Sequence, residues 1–192
     1  MKSFRTYLQE DVSTSVATKL PDIYLDMDET LVDWMSGANA ALKAAGKPEW
    51  KDSYWKENHS DEEADEIRWD ILNKTPNFWE NLEFTPDGLL IWKFVKKYKP
   101  HILSACGDLA KTCKNGKKRW LAQRLGMKNL GKIHLVKRSQ KKLFARDASK
   151  NPTVLIDDYL KNCQEYKSAG GIAIQVTTAN QVIDKLKKLG FR

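Results

Sequence analysis

The stretch Ile23-Tyr24-Leu25-Asp26-Met27-Asp28-Glu29-Thr30-Leu31 decides how this chain of 192 residues is expected to fold. Three apolar residues are followed by two aspartates and then by a helical pattern of alanine and leucine, which Gly46 and Pro48 end. An apolar run that stops at polar residues and passes into a helix is typical of a strand, a loop and a helix. The pattern therefore predicts a strand with Asp26 and Asp28 at its carboxyl end.

The same alternation of strand and helix continues along the chain. Further apolar runs that indicate strands lie at residues 101–103, 133–136, 154–156 and 172–176, and a last helix is expected over 180–189. Strands that alternate with helices predict a doubly wound, Rossmann-like α/β fold with a parallel sheet covered on both faces. Because ligands bind outside the carboxyl ends of such strands, Ser104, Asp157 and Asp158 are expected beside the first two aspartates.

Residues 34–85 interrupt this alternation and read as a small helical cap. They show no strand pattern of the parallel-sheet type, and they contain five of the seven tryptophans: Trp34, Trp50, Trp55, Trp69 and Trp79. We therefore predict an α/β core formed by residues 21–33 and 86–192, with the cap inserted after the first strand and an N-terminal tail over residues 1–20.

Charge is unevenly distributed around a net value of +8. Residues 93–150 contain 18 lysines and arginines against Asp108 and Asp147, whereas residues 49–87 contain 12 acidic residues against four basic ones. The basic segment is either solvated helix surface or the source of a field that attracts a phosphorylated substrate. Nucleic-acid binding is compatible with this charge but is not favoured, since no recognised motif for it is present.

Composition also indicates the cellular location of the protein, the state of its cysteines and the type of metal ligand it offers. The chain has no apolar run of about 18 residues and no secretory signal, so we expect a soluble, cytoplasmic protein without membrane contact. Cys106, Cys113 and Cys163 are odd in number and lack C-x-x-C spacing, which predicts reduced thiols. With only three scattered histidines, any metal is expected to have oxygen ligands.

Four aspartates at one sheet edge predict phosphoryl chemistry. Without a cation they would repel one another, and a hard ion such as Mg²⁺ binds carboxylates together with a substrate phosphate. An aspartate can also attack phosphorus as a nucleophile and form an aspartyl-phosphate.

The polar ends of these strands resemble a known set of motifs. In chain order they are Asp26-Met27-Asp28-Glu29-Thr30-Leu31, His101-Ile102-Leu103-Ser104, Lys141 and Leu155-Ile156-Asp157-Asp158. They resemble the four motifs of the haloacid dehalogenase (HAD) superfamily of phosphatases, over about residues 21–176. More narrowly, the chain resembles the 5'(3')-deoxyribonucleotidase branch in Pro76-Asn77-Phe78-Trp79, Lys141-x-x-Phe144-Ala145, and Asp157-Asp158 followed by Gly170-Gly171-Ile172-Ala173-Ile174. It has Glu29 where those nucleotidases usually carry glycine.

The resemblance implies roles for the first two motifs. Asp26 would be the nucleophile and a Mg²⁺ ligand. Asp28 would protonate the leaving oxygen and then activate water, while its backbone carbonyl contacts the metal. Ser104 and the amide of Ala105 would hold phosphate oxygens.

The resemblance also implies roles for the last two motifs. Lys141, favoured over Lys142 and Lys137, would neutralise charge on the transferring group and hold the nucleophile in place. Asp157 and Asp158 would complete the metal site, and which of them contacts the ion directly stays open.

Aromatic residues of the cap are candidates for substrate binding, because aromatic faces stack on nucleobases. The related nucleotidases place a base-stacking aromatic eight residues after the nucleophile, where this chain has Trp34, and Phe78 and Trp79 come next. The alternative is that these rings form the core of the cap, which is the favoured interpretation for Trp50, Trp55 and Trp69.

From these motifs we expect a Mg²⁺-dependent phosphomonoester hydrolase, a 5'-nucleotidase acting on (deoxy)nucleoside monophosphates through an aspartyl-phosphate. The alternatives are a nucleic-acid 3'-end phosphatase and a non-catalytic packaged or interaction protein whose inherited site is idle. Residues 1–10 resemble leader segments of proteins packaged into phage heads, with Leu8-Gln9-Glu10 as the cleavage pattern. A flexible or edge-packed tail is the other interpretation, and the oligomeric state is left open.

Overall fold

A computed structural model describes residues 19–192, which form an α/β fold around one parallel sheet. Its strands are β1 (Ile23–Leu25), β2 (His101–Ala105), β3 (Ile133–Val136), β4 (Val154–Asp157) and β5 (Ile172–Gln175), in the order β3-β2-β1-β4-β5. The first strand lies at the centre, and the chain extends the sheet first to one side and then to the other. The predicted doubly wound α/β class is confirmed.

In the described part of the chain, seven α-helices connect and flank the strands. They are α1 (Trp34–Ala44), α2 (Tyr54–Asn58), α3 (Asp61–Lys74), α4 (Pro86–Val95), α5 (Cys113–Arg124), α6 (Leu160–Ser168) and α7 (Ala179–Lys188). Helix α1 begins at Trp34 rather than directly after the acidic loop, because Asp33 caps it by accepting a hydrogen bond from Ser36 N. Helix α6 has no counterpart in the sequence prediction, since its buried side chains are few: Asn162, Cys163 and Tyr166.

Helices α1 to α3 occupy the segment predicted as the cap. The chain enters and leaves this segment at neighbouring points, because Val32 forms an isolated β-bridge with Phe84. Helix α3 starts with a capping box in which Ser60 and Glu63 satisfy each other's backbone N–H groups. Residues 34–85 contain helices and contribute no strand to the sheet.

The prediction of reduced thiols is wrong for two cysteines. Cys106 and Cys113 form a disulfide across the loop between β2 and α5, and Cys163 is the free, buried thiol. The spacing alone does not signal this pairing. The loop has to fold back from the strand into the helix before the two Cα atoms come within 5.9 Å, a separation that suits a disulfide.

Within residues 19–192, no helix combines the length and the apolarity needed to cross a membrane. The resemblance of residues 1–10 to a phage-head leader lies outside the described residues.

Candidate active site

The carboxyl ends of β1 and β4 bring three carboxylates together. One oxygen from each of Asp26, Asp157 and Asp158 lies within 4.8 Å of the others. They meet because β1 and β4 are neighbours, with Leu25 opposite Ile156, so the aspartate that follows each of these residues lies at the same edge. We call these three residues the acidic cluster.

Lys141 lies between two members of the acidic cluster. Its Nζ is 2.8 Å from Oδ1 of Asp26 and 2.8 Å from Oδ2 of Asp157, to which it donates a hydrogen bond. The 3₁₀-helix after β3 places it there and leaves it 2% exposed, whereas Lys137 and Lys142 are exposed. Burial alone would lower the pKa of Lys141, but the two carboxylates raise it, so its ammonium group stays charged.

One lysine does not neutralise three carboxylates. Burial and the charge of Asp26 raise the pKa of Asp157 to about 6, even though Lys141 acts in the opposite direction. Burial and the charges of Asp26 and Asp157 raise the pKa of Asp158 to about 7. The set has only oxygen donors and excess negative charge, which fits a hard divalent cation such as Mg²⁺.

The two consecutive aspartates have different hydrogen-bond partners. Both oxygens of Asp157 accept from Asn162 (3.1 and 3.0 Å), one also accepts from Tyr159 N (2.9 Å), and the other from Lys141. By contrast, the Asp158 carboxylate accepts one long side-chain hydrogen bond from the residues that the structure describes, from Thr30 Oγ1 at 3.3 Å. Asp158 therefore has the freer oxygens for a metal ion, and Asp157 is suited to orienting Lys141.

A second buried lysine faces the site from α5. Lys117 is fully buried, and its Nζ lies 2.6 Å from Oδ2 of Asp28, 2.9 Å from Oγ of Ser104 and 2.8 Å from the carbonyl oxygen of Ala105. The carboxylate of Asp28 thus pairs with Lys117, apart from the acidic cluster. Burial raises the pKa of Asp28, although Lys117 acts to lower it.

The sequence predictions do not include Lys117, because it stands beside Lys118 and Arg119 in a basic run that resembles solvated surface. One signal could have identified it. Residue 117 follows Cys113 by four positions and precedes Trp120 by three, so it lies on the buried face of the helix. A lysine at such a position needs a partner to compensate its charge.

Ser104 and Ala105 end β2 next to this lysine. Ser104 is fully buried, and its hydroxyl oxygen accepts from Lys117, which leaves the hydroxyl hydrogen available for another acceptor. A phosphate oxygen is an acceptor of this kind.

The loop after β1 is held by Glu29 and Thr30. Glu29 has φ of 55°, in the left-handed region that favours glycine, and its carboxylate accepts a hydrogen bond from Met35 N at 2.7 Å. Thr30 Oγ1 accepts from Asp158 N at 3.1 Å and so ties this loop to the end of β4. The loop therefore adopts a left-handed turn at Glu29 without a glycine.

Comparisons with known proteins find similar folds among solved structures. No family model and no curated protein matches the chain. Similar solved structures include the HAD-hydrolase YfnB from Bacillus subtilis bound to magnesium (TM-score 0.58, 13% identity, 88% of this chain and 99% of that chain). L-2-haloacid dehalogenase from Xanthobacter autotrophicus matches with a TM-score of 0.56 and 14% identity, over 88% of this chain and 83% of that chain. A predicted phosphatase from Clostridium acetobutylicum gives 0.55 and 12%, over 88% and 99%.

The chain shares the α/β fold of these HAD structures. At these identities the likeness concerns the fold alone, so the roles of individual residues have to be argued from the site. In this HAD fold the acidic cluster, Lys141 and Ser104 all lie at the carboxyl edge of the sheet.

The residues predicted to stack on a nucleobase lie in one aromatic cluster. Trp34 contacts Trp50 and Phe78 edge-on, with ring centroids 4.8 and 6.5 Å apart, and is 9% exposed. Its indole N–H is buried and has no acceptor among the described residues. Trp79 donates to Thr112 Oγ1 at 3.1 Å and packs edge-on against Phe78. These rings form a core between α1 and α3, and a stacked base stays a prediction.

Proposed function

We propose that this protein is a Mg²⁺-dependent phosphomonoester hydrolase that acts on 5'-(deoxy)nucleoside monophosphates through a phosphorylated Asp26. The observation that carries the proposal is the acidic cluster, with Lys141 between Asp26 and Asp157. Phosphoryl transfer depends on positioning and on stabilising negative charge, and this arrangement supplies an oxygen nucleophile beside a fixed cation.

The donor set determines which residues would hold the metal. Asp26 and Asp158 would bind Mg²⁺ through their carboxylates, and Asp28 through its backbone carbonyl, as the resemblance implies. When bound, Mg²⁺ neutralises charge on the phosphoryl group. Asp157 would act indirectly, since its oxygens already accept hydrogen bonds from Asn162, Tyr159 and Lys141.

The first step would form a covalent intermediate on the protein. A carboxylate oxygen of Asp26 attacks phosphorus, and the bond from phosphorus to the leaving oxygen breaks. The leaving oxygen takes a proton from Asp28, whose raised pKa suits a proton donor. Ser104 would donate its free hydroxyl hydrogen to a phosphate oxygen.

The second step would release inorganic phosphate. Asp28 takes a proton from water, the water oxygen attacks phosphorus, and the bond from phosphorus to Asp26 breaks. Lys117 supports both steps by holding Asp28 and Ser104, which it contacts at 2.6 and 2.9 Å.

The aromatic cluster is the observation that supports a nucleoside as part of the substrate. Among residues 19–192 the buried indole N–H of Trp34 has no acceptor, and a base carbonyl would provide one. A second candidate, a nucleic-acid 3'-end phosphatase, is motivated by the basic segment over residues 93–150. Turnover of oligonucleotide ends that falls steeply with salt would distinguish it, since phosphate-backbone contacts release counterions.

A panel of nucleoside monophosphates and sugar phosphates, assayed with Mg²⁺ and with a chelator, tests the proposal. We expect nucleoside monophosphates to be hydrolysed with Mg²⁺ only. Asp26→Asn should abolish turnover, whereas Asp184→Asn, at an exposed position on α7, should not. Absence of hydrolysis across the panel would overturn the proposal and favour a non-catalytic protein.

A further inference from the structure

A cavity of about 530 Å³ lies beside the candidate active site. Its wall is formed by the loop after β2, the start of α5 and the end of β3. Three lysines reach it, Lys111, Lys114 and Lys137, together with the amide side chains of Asn115 and Gln140. Its size is that of a small-molecule site, and its lining combines apolar side chains with these polar and mostly basic groups.

The positive charge around this cavity is only partly balanced. Asp108 is the one carboxylate among its lining residues, and it pairs with Lys137 at 2.8 Å. Within residues 19–192, neither Lys111 nor Lys114 forms an ion pair. Ammonium groups around one cavity repel one another, so an anion that bound between them would be stabilised.

The fold places this cavity next to the phosphate-binding positions. Its first lining residue, Cys106, follows Ser104 and Ala105 directly, and Val136 and Lys137 come from the end of β3. In the order β3-β2-β1, the end of β3 lies two strand spacings, about 10 Å, from the end of β1, where Asp26 stands. A second anionic group on the same substrate can span a distance of this order.

The wall of the cavity is cross-linked. The disulfide between Cys106 and Cys113 closes the loop that carries Lys111, and Lys114 follows Cys113 directly. A loop that is already ordered loses less conformational entropy when a ligand binds. The site is therefore formed in advance of the substrate.

We propose that this cavity binds a second phosphate group of the substrate, and that Lys111 and Lys114 recognise it. The inference rests on the proposed function, since it assumes that the first phosphate lies at Asp26. Two sources share this chemistry: a nucleoside bisphosphate, and an oligonucleotide whose neighbouring phosphodiester enters the cavity. These contacts form in the bound substrate as well as in the transition state, so they lower KM and leave kcat unchanged.

Equilibrium binding to Asp26→Asn protein in the presence of Mg²⁺ tests the proposal without turnover. The probes are a nucleoside 5'-monophosphate, the matching nucleoside 3',5'-bisphosphate and a short oligonucleotide with a terminal phosphate. We expect the bisphosphate to bind at least tenfold more tightly than the monophosphate. Lys111→Ala/Lys114→Ala should remove that advantage and leave monophosphate binding unchanged.

The control variant is Lys118→Ala/Lys128→Ala, which removes the same net charge from exposed positions that do not line the cavity. It should keep the preference for the bisphosphate. Equal affinities for bisphosphate and monophosphate, with an oligonucleotide affinity that does not depend on Lys111 and Lys114, would overturn the proposal. Loss of the preference for the bisphosphate in the control variant would also overturn the proposal.

The arms of the experiment separate the possible sources of the phosphate. If the oligonucleotide binds more tightly than the bisphosphate, and Lys111→Ala/Lys114→Ala removes this difference, the second group is a phosphodiester. If only the bisphosphate binds more tightly than the monophosphate, the substrate is a small molecule. Failure of the proposed function gives a different pattern: lysine-dependent binding would persist, but wild-type protein would hydrolyse none of the probes.

Discussion

Reduction of the disulfide between Cys106 and Cys113 should destabilise the protein measurably. The bond joins residues seven positions apart, so it closes a loop of about eight residues. The chain-entropy relation for a loop of that length corresponds to about 2.5 kcal/mol at 25 °C. For a protein of this size, each kcal/mol shifts Tm by roughly 2–4 °C. We therefore expect Tm to fall by about 5–10 °C on reduction.

Scanning calorimetry with and without a phosphine reductant measures this shift, and alkylation followed by mass spectrometry establishes the thiol state. The matched control is Cys106→Ala/Cys113→Ala, whose Tm should be low and insensitive to reductant. The free thiol of Cys163 is present in both proteins.

Activity should change in the same direction as stability. Lys117 follows Cys113 by one helical turn, so loosening the start of α5 should also weaken its contacts with Asp28 and Ser104. We expect kcat/KM to fall on reduction. An unchanged Tm, measured on protein in which both thiols are shown to be free, would refute the reasoning.

Three further predictions concern the site and its support. Lys117→Met should lower stability by about 3 kcal/mol and reduce kcat, because it leaves the half-buried carboxylate of Asp28 without its buried partner, whereas the exposed Lys118→Met should change neither. Mg²⁺ at about 100 times its Kd should stabilise the protein by about 2.7 kcal/mol in thermal unfolding, and a chelator or Asp158→Asn should remove this effect. Gly88→Ala should lower the free energy of unfolding by about 1–3 kcal/mol in denaturant titration, because its Cβ would lie 2.7 Å from Leu31 Cα; an unchanged midpoint would contradict the close packing there.

Local patterns in the sequence were enough to predict the sheet. In a parallel sheet with helices on both faces, a strand has to be apolar on both sides, so it appears as a short hydrophobic run. Leu25, Ile102 and Ile156 are such residues, and each is fully buried. The polar residues that follow these runs then fall at one edge, which is why Asp26 and Asp157 could be expected together.

Side-chain partnerships depend on how the helices and loops pack, and local patterns do not carry that information. Lys117 resembles its basic neighbours until α5 packs against β2 and removes it from water, and burial then makes pairing with Asp28 necessary. The Cys106–Cys113 disulfide likewise depends on the path of a loop. The chain's own order of residues thus specifies which groups reach the sheet edge, whereas long-range contacts assign each group its partner, since burial and distance are properties of the packed molecule.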